Sequence, residues 1–434
     1  MTVKVIGAGL AGCEAAWQLA KAGISVQLYE MKPKKYSPAH HYSGFAELVC
    51  SNSLKAARIG SAAGMLKAEM RLFDSLVLRC AEESAVAAGG ALAVDRTRFS
   101  DLVTEAIRQN EHIRIFEEEV TEIPEEPVII ATGPLTSEGL SEAIRRYCGT
   151  QYLSFFDAAA PIVSAESLDQ SRVFMAARYG RGDADYVNCP FTREEYEAFY
   201  DALIHAESAP LHEFDRRDFK VYEGCMPIEV MAKRGADTLR YGPLKPVGLT
   251  DPNTGKRPYA VVQLRRENAA GSMYNLVGFQ TNLKFPEQKR VFSMIPGLEN
   301  AEFYRYGVMH RNTFLNSPKL LNFDFSLRTA PLIAFAGQMT GVEGYIESAS
   351  SGIMAGYYMA KKLHGEEIAP LPTDCMMGAL ASYISNPVVE DFQPMGCNMG
   401  ILPDIGERIR DKALRYTKVA ERGINALKSS LVKG

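Results

Sequence analysis

With 434 residues, 47% of them hydrophobic and 23% charged, the chain has the composition of an ordinary soluble globular protein and the length for two or three domains. No apolar run approaches the ~18–20 residues of a membrane span, and the apolar N-terminus is broken by Lys4 and lacks a cleavage site, so neither a membrane helix nor a signal peptide is expected. Eight cysteines without CxxC spacing argue against a zinc site or a disulfide scaffold and fit a reducing cytoplasm; the net charge of −4 hides a surplus over residues 221–320, which hold 14 Lys+Arg against 8 Asp+Glu. A basic module on an acidic remainder suits capture of a polyanion, although a solvated charged surface has the same composition.

Val3-Lys4-Val5-Ile6 runs directly into Gly7-Ala8-Gly9-Leu10-Ala11-Gly12, and Glu30 closes the next strand, Ser25–Tyr29. Strand, GxGxxG turn, helix and acid in this register predict a dinucleotide site. Gly7 makes the tight turn, Gly9 admits a pyrophosphate to the backbone, and Gly12 lets the helix lie close to the sheet. The helix N-terminus offers free N–H groups and the positive end of its dipole, and Glu30 is placed to accept the ribose hydroxyls.

A loop rich in Pro, His and Lys follows, then a helical stretch from about 61 to 88, a Gly89-Gly90 turn, a helix near 97–110 after Asp95-Arg96, and strands over 112–120 and 127–131. The last of these, Val128–Ala131, ends in Thr132-Gly133, an ATG turn of the kind common in flavoproteins. From about 160 the texture becomes aromatic and charged, with many short strands and a helix over Arg193–Ala206. The Rossmann pattern returns near 331, in an apolar strand that meets Gly337, Gln338, Gly341, Glu343, Gly344 and Tyr345 and opens a helix of Ala, Ser and Gly through Gly352 and Gly356. The small residues predict something packed tightly on that helix. A second Gly-rich helix start is of no use to a nicotinamide dehydrogenase but suits FAD, because it stabilises negative charge on the reduced ring. The expected fold is α/β, a Rossmann-like FAD-binding domain over 1–160 and 325–434, interrupted by an α+β insertion domain over 161–324 on the substrate side. The tail over 404–432 reads as an amphipathic helix.

Two cysteines stand in polar turns rather than apolar runs. Cys50 lies in Leu48-Val49-Cys50-Ser51-Asn52-Ser53, where the Ser-Asn-Ser cluster suits a helix cap and hence a stabilised thiolate, and Cys225 lies in Gly224-Cys225-Met226-Pro227. The other six suit burial as small hydrophobes.

The runs GAGLAGCEAAWQLA, FAELVCSNSLK, YEGCMPIEVMAKRGADTLRYGPLKPVGL, YNLVGFQTNLKFPEQKRVFSMIPGLENAEFYRYGVMHRNT and FAGQMTGVEGYIESASSG resemble the folate- and FAD-dependent tRNA (uracil-5-)-methyltransferases, the TrmFO family, over essentially the whole chain. The related GidA/MnmG proteins share the flavin motifs but are longer and lack the CSNS and GCMP pair. The resemblance implies formation of ribothymidine in the tRNA T-loop, with 5,10-methylenetetrahydrofolate as methylene donor, FAD as hydride carrier and NAD(P)H as reductant. It implies Cys50 as nucleophile on uracil C6 and Cys225 as base or partner, with the reverse assignment open. Tyr345 could stack a pterin or simply pack. Arg178, Arg181, Lys233, Arg234, Arg265, Arg266 and Arg311 are candidate phosphate contacts. A flavin oxidoreductase of small molecules and a non-catalytic tRNA-binding flavoprotein are the competing readings. No metal and no membrane partner is expected.

Overall fold

The structure, a computed structural model, describes all residues except 126, 150–151, 181–182, 210–225, 391 and 434, with the backbone alone at 152–158, 310–313 and 433. The chain opens with β1 (Thr2–Ile6), α1 (Leu10–Lys21) and β2 (Ser25–Glu30), followed by β3 (Ser53–Ala56), α2 (Ala62–Leu72), α3 (Leu76–Glu83), β4 (Ala85–Val86), β5 (Ala91–Val94), α4 (Arg96–Gln109), β6 (Ile113–Glu117), β7 (Val128–Ile130) and α5 (Glu138–Cys148). A second lobe holds β8 (Tyr152–Ala158), β9 (Ile162–Ser164), β10 (Phe174–Met175), β11 (Tyr186–Phe191), α6 (Arg193–Ile204), α7 (Ile228–Ala232), α8 (Thr238–Tyr241), β12 (Ala260–Arg266), β13 (Met273–Leu276), α9 (Phe285–Phe292), β14 (Phe303–Arg305) and β15 (Met309–Leu315). The return contributes α10 (Ser317–Leu320), β16 (Ser326–Leu327), β17 (Ala330–Phe335), α11 (Tyr345–Leu363), α12 (Met376–Ser385) and α13 (Lys412–Lys433).

The main sheet runs β16-β17-β7-β1-β2-β6 and is parallel except for the edge strand β16. Its central strands are near-continuous Val and Ile because helices cover both faces, as a parallel sheet demands. The order reverses at β1, so the Gly-rich turn after β1 stands where such sheets bind ligands. The second lobe is a sheet ordered β10-β11-β12-β13-β9-β14, every pair antiparallel. Each lobe has its own apolar core. β8 and β15 pair antiparallel, Tyr152 opposite Leu315 through Ala158 opposite Met309, so the chain leaves and re-enters through one ribbon. The α/β expectation holds.

Three local expectations are corrected. The stretch from 61 to 88 is two helices, because Asp74 takes φ +55° and Ser75 caps α3 by accepting the Leu78 N–H at 3.1 Å. The tail helix starts at Lys412 rather than 404. Asp411 Oδ1 accepts the Ala413 and Leu414 N–H groups, and Arg422 draws the Pro403 and Asp404 carbonyls back at 2.6 and 2.7 Å. The Ser-Asn-Ser run after Cys50 caps no helix; it leads into β3.

Candidate active site

The GxGxxG turn has the geometry its residues require. Gly7 sits at φ +96°, and a Cβ on Gly12 would lie 1.8 Å from the Gly7 carbonyl oxygen, so both positions exclude a side chain. Gly9 caps α1 with no side-chain hydrogen bond, and a Cβ there would meet nothing within 4 Å. The start of α1, Gly9 to Ala11, lines a cleft, where a helix N-terminus suits an anion.

A cleft of about 1120 Å³, counting its open mouth, extends from this turn. Its walls include Gly7, Ala8, Gly9, Leu10, Ala11, Glu30, Thr132, Gly133, Gly337, Gln338, Tyr345 and Ser348, with Gly337 against Ala11. Glu30 is buried; Oε2 accepts the Ala8 N–H at 2.9 Å and Oε1 the Lys32 N–H at 3.0 Å, which fixes the carboxylate against the turn with lone pairs left over. Gly344 starts α11 at φ +119° with no side-chain cap, and Lys55 and Glu347 crowd the space beside it. A Gly-rich helix start, a buried carboxylate and a second Gly-rich turn lining one cleft are a residue set that suits FAD.

Four of the expected residues shape the cleft without walling it. Gly12 packs on Gly7. Gly341, at φ +84°, faces Phe392, whose Cζ would lie 2.3 Å from a Cβ there. Glu343 grips the Gln338 amide at 2.9 and 2.8 Å, and Gly344 is the cap of α11. The small residues of α11 also have another cause than a ligand. A Cβ on Gly352 would lie 2.1 Å from the Ala11 carbonyl oxygen and one on Gly356 2.7 Å from that of Ala15, so what packs on this helix is α1.

The loop after β2 carries cleft residues that the sequence reading passed over. Buried Lys32 donates to the carbonyls of Gly44 at 2.6 Å and Tyr42 at 3.0 Å and meets Glu47 Oε2 at 3.4 Å, while Glu47 Oε1 accepts the His41 and Tyr42 N–H groups. This staple folds the loop over the cleft and places His40, Ala46, Glu47 and Val49 in its wall. Burial pulls the His40 imidazole below its ordinary pKa, which outweighs the pull of Glu47, and Nδ1 shares a 2.5 Å hydrogen bond with Ser37. The only advance signal was the Pro, His and Lys texture of that loop.

Cys50 follows the wall residue Val49 and is half-buried. Its N–H donates to the Tyr345 hydroxyl at 2.8 Å, and the Ser51 N–H donates to the same oxygen at 3.2 Å. Burial, then the nearby Cys50 thiol, pushes the Tyr345 phenol well above its usual range, so it stays protonated. The first residue of α11, in the cleft wall, thereby holds the cysteine loop.

Three arginines hold the loop from other sides. Arg96 donates to the carbonyls of Leu48 and, at 3.1 Å, Cys50, and pairs with Glu267 at 2.5 Å; burial alone would lower its pKa, and Glu267 reverses that. Arg265 donates to Asn52 Oδ1 at 2.9 Å and Ser51 Oγ at 2.7 Å, and Arg305 reaches the Cys50 carbonyl at 3.4 Å. Asn52 in turn donates to the Val94 and Arg266 carbonyls at 3.0 and 2.8 Å, which ties the two lobes together here. Three guanidinium groups against one carboxylate give the loop a positive surround. The source of that charge is side chains from both lobes rather than a helix dipole.

Of the candidate phosphate contacts, Lys233 and Arg234 are exposed. Arg265 is only 7% exposed and serves the Cys50 loop, and Arg178 is spent on Gln263 and the Lys245 and Val247 carbonyls. Arg266 is half-buried with Nε unpartnered. Arg181, the Arg311 side chain and Cys225 lie outside the described residues. Among the described residues there is no metal-binding cluster and no helix long and apolar enough to cross a membrane.

The family model of glucose inhibited division protein A (GidA) matches residues 2–367. The Aquifex aeolicus GidA structure superposes with a TM-score of 0.70 at 18% identity, over 100% of this chain and 76% of that one, which shows the shared fold. Methylenetetrahydrofolate-tRNA-(uracil-5-)-methyltransferase TrmFO of Acetivibrio thermocellus is 59% identical over 432 residues, 99% of each chain. Its counterparts from Brevibacillus brevis and Lactiplantibacillus plantarum are 56% and 57% identical, over 99% and 98% of this chain and 98% and 96% of theirs. With the flavin-type cleft, the cysteine loop beside it and more than half of all residues shared from end to end, this chain belongs to the TrmFO family, within the wider GidA group.

Proposed function

We infer that this protein methylates C5 of a uridine in tRNA, taking the carbon from 5,10-methylenetetrahydrofolate and using FAD. The observation that carries the reading is the Cys50–Tyr345 hydrogen bond, which joins the cysteine loop to the wall of the cleft. When bound and reduced, FAD supplies the hydride that takes a methylene carbon to a methyl group.

The residues of the chain account for the remaining demands. Gly7 to Gly12, Glu30, Thr132, Gly133 and the turn from Gly337 to Tyr345 would hold the cofactor. Uracil C5 becomes nucleophilic once a thiolate has added to C6; the cations around the Cys50 loop support Cys50 for that addition, with the reverse assignment to Cys225 open. Cys225 is the second thiol available to remove the C5 proton. NAD(P)H is the reductant the chemistry calls for. The T-loop uridine is the target on the strength of the family resemblance, and exposed Lys233 and Arg234 suit its phosphates. The chemistry belongs in the cytoplasm, where tRNA, folate and reduced nicotinamide meet.

The test is incubation of the flavin-loaded protein with tRNA lacking ribothymidine, methylenetetrahydrofolate and NADPH, followed by digestion to nucleosides. Appearance of 5-methyluridine without S-adenosylmethionine supports the reading. Its absence, with the FAD merely oxidised and reduced, favours the small-molecule oxidoreductase instead.

A further inference from the structure

Three aromatic rings form a parallel stack beside the edge strand β14 of the insertion sheet. The ring of Phe303 lies 5.0 Å from that of Tyr306 at 14°, and Tyr306 lies 5.0 Å from Phe285 at 16°. Phe303 packs against the apolar core of this lobe, whereas Phe285 is 52% exposed, so the stack begins at the core and ends open to solvent. Neighbouring Tyr304 is 62% exposed. Apolar rings grouped at a surface mark an interaction site, where single ones do not. The stack is also held rigidly. Buried Gln288 of α9 accepts the Gly307 N–H at 2.8 Å and donates to the Gly307 and Leu283 carbonyls at 2.7 Å each, which locks α9 against the chain leaving β14.

Its place in the fold points to RNA. Arg305, one residue before Tyr306, reaches the Cys50 carbonyl at 3.4 Å. Lys284, one residue before Phe285, donates its N–H to the Glu207 carbonyl at 3.0 Å and pairs with the Glu207 carboxylate at 2.5 Å. The Ala209 N–H donates to the Asn282 carbonyl and the Ile228 N–H to the Gln280 carbonyl, at 2.7 Å each. Both ends of the segment that carries Cys225 are thus tied to residues 280–284, directly before the stack. We propose that Phe285 is a platform on which an unpaired base of the tRNA loop, beside the target uridine, stacks. Turning the target base out of its loop unstacks its neighbours, and unstacked bases pack on aromatic side chains. Exposed Lys289 lies one turn along α9 on the face of Phe285 and suits the phosphate of that nucleotide. The proposal rests on a tRNA loop as the substrate and on neither thiol in particular as the nucleophile.

The experiment uses the flavin-loaded full chain and tRNA transcripts lacking ribothymidine, with affinity measured over a range of salt. Phe285→Ala should bind about 5- to 150-fold more weakly, because the contact of one base is lost. The slope of affinity against salt, the melting temperature and the flavin spectrum should stay as in the parent, since no phosphate contact is removed. Phe285→Leu, which keeps apolar volume without a ring, should weaken with it. Phe285→Trp should hold the affinity and lose indole fluorescence when tRNA is added. Transcripts with one T-loop base at a time removed then find the nucleotide: at one position the abasic transcript should cost the parent the same factor and Phe285→Ala nothing further. Four outcomes overturn the proposal: parent affinity in Phe285→Ala or Phe285→Leu, a salt slope lowered by about one in Phe285→Ala, abasic losses that add to that of Phe285→Ala at every position, or a defect confined to the KM for methylenetetrahydrofolate, which would give the rings to the folate. A parent chain without affinity for tRNA would remove the substrate reading itself.

Discussion

The Tyr345 hydroxyl accepts the Cys50 N–H at 2.8 Å across 295 residues of sequence. The two belong to different parts of the machinery. Tyr345 begins α11 and lines the cleft, and Cys50 is the thiol of the loop beside it. Because Tyr345 stays protonated and accepts two N–H groups, it sets the height of the cysteine loop over the cleft.

Tyr345→Phe should therefore keep the fold and the flavin but misplace the loop. Two half-buried N–H groups lose their acceptor, a penalty of at most about 1–3 kcal/mol each and less where water replaces it. A fall of roughly 10- to 100-fold in kcat, with the FAD absorbance retained, is the expected outcome, since small misplacements of a nucleophile lower rate steeply. An unchanged kcat would make the tyrosine a packing residue only.

Gly9 and Gly352 should separate cofactor binding from packing. A Cβ at Gly9 meets no protein atom, so Gly9→Ala should purify folded, with normal far-ultraviolet circular dichroism, but with little bound FAD. Gly352→Ala forces a methyl to 2.1 Å from the Ala11 carbonyl oxygen and should lower stability by about 1–3 kcal/mol through overpacking of the α1–α11 contact. Thermal melts of both variants, with and without added FAD, check the pair.

Stability should decline with alkalinity through Glu69. This buried side chain accepts the Met376 and Met377 N–H groups at 2.8 Å each, joining α2 to the start of α12, and burial pushes its carboxyl from 4.5 to about 8. The folded protein then holds a proton that the unfolded chain releases above about 4.5. The stabilisation is complete below that pH and is lost as pH rises through about 8. Glu14, raised to about 7 by burial, acts in the same direction. The melting temperature should fall between pH 5 and 8, and Glu69→Gln should flatten the slope; a slope identical in both proteins would refute the assignment.

What could be read from the sequence was what neighbouring residues decide among themselves. The turn from Gly7 to Gly12, the acid at Glu30 and the two Gly-rich helix starts follow from local steric demands and stand where expected. The surround of Cys50 was illegible because Arg96, Arg265 and Arg305 reach it from 46 to 255 residues away. Arg265 looked like a rim charge, since a charge in a basic segment gives no sign that Asn52 and Ser51 wait to accept it. The helix through Gly352 and Gly356 was correctly read as tightly packed, but its partner is a second helix, which no local pattern names. The break at Asp74 was hidden by an apolar rhythm that runs on through both helices.

The most direct measurement is peptide mapping by mass spectrometry of the flavin-loaded protein after reaction with methylenetetrahydrofolate and tRNA carrying 5-fluorouridine at the target position. The account predicts a covalent RNA adduct on the peptide containing Cys50 or on that containing Cys225, lost when that cysteine is replaced by Ala. The absence of an adduct from both peptides would contradict it.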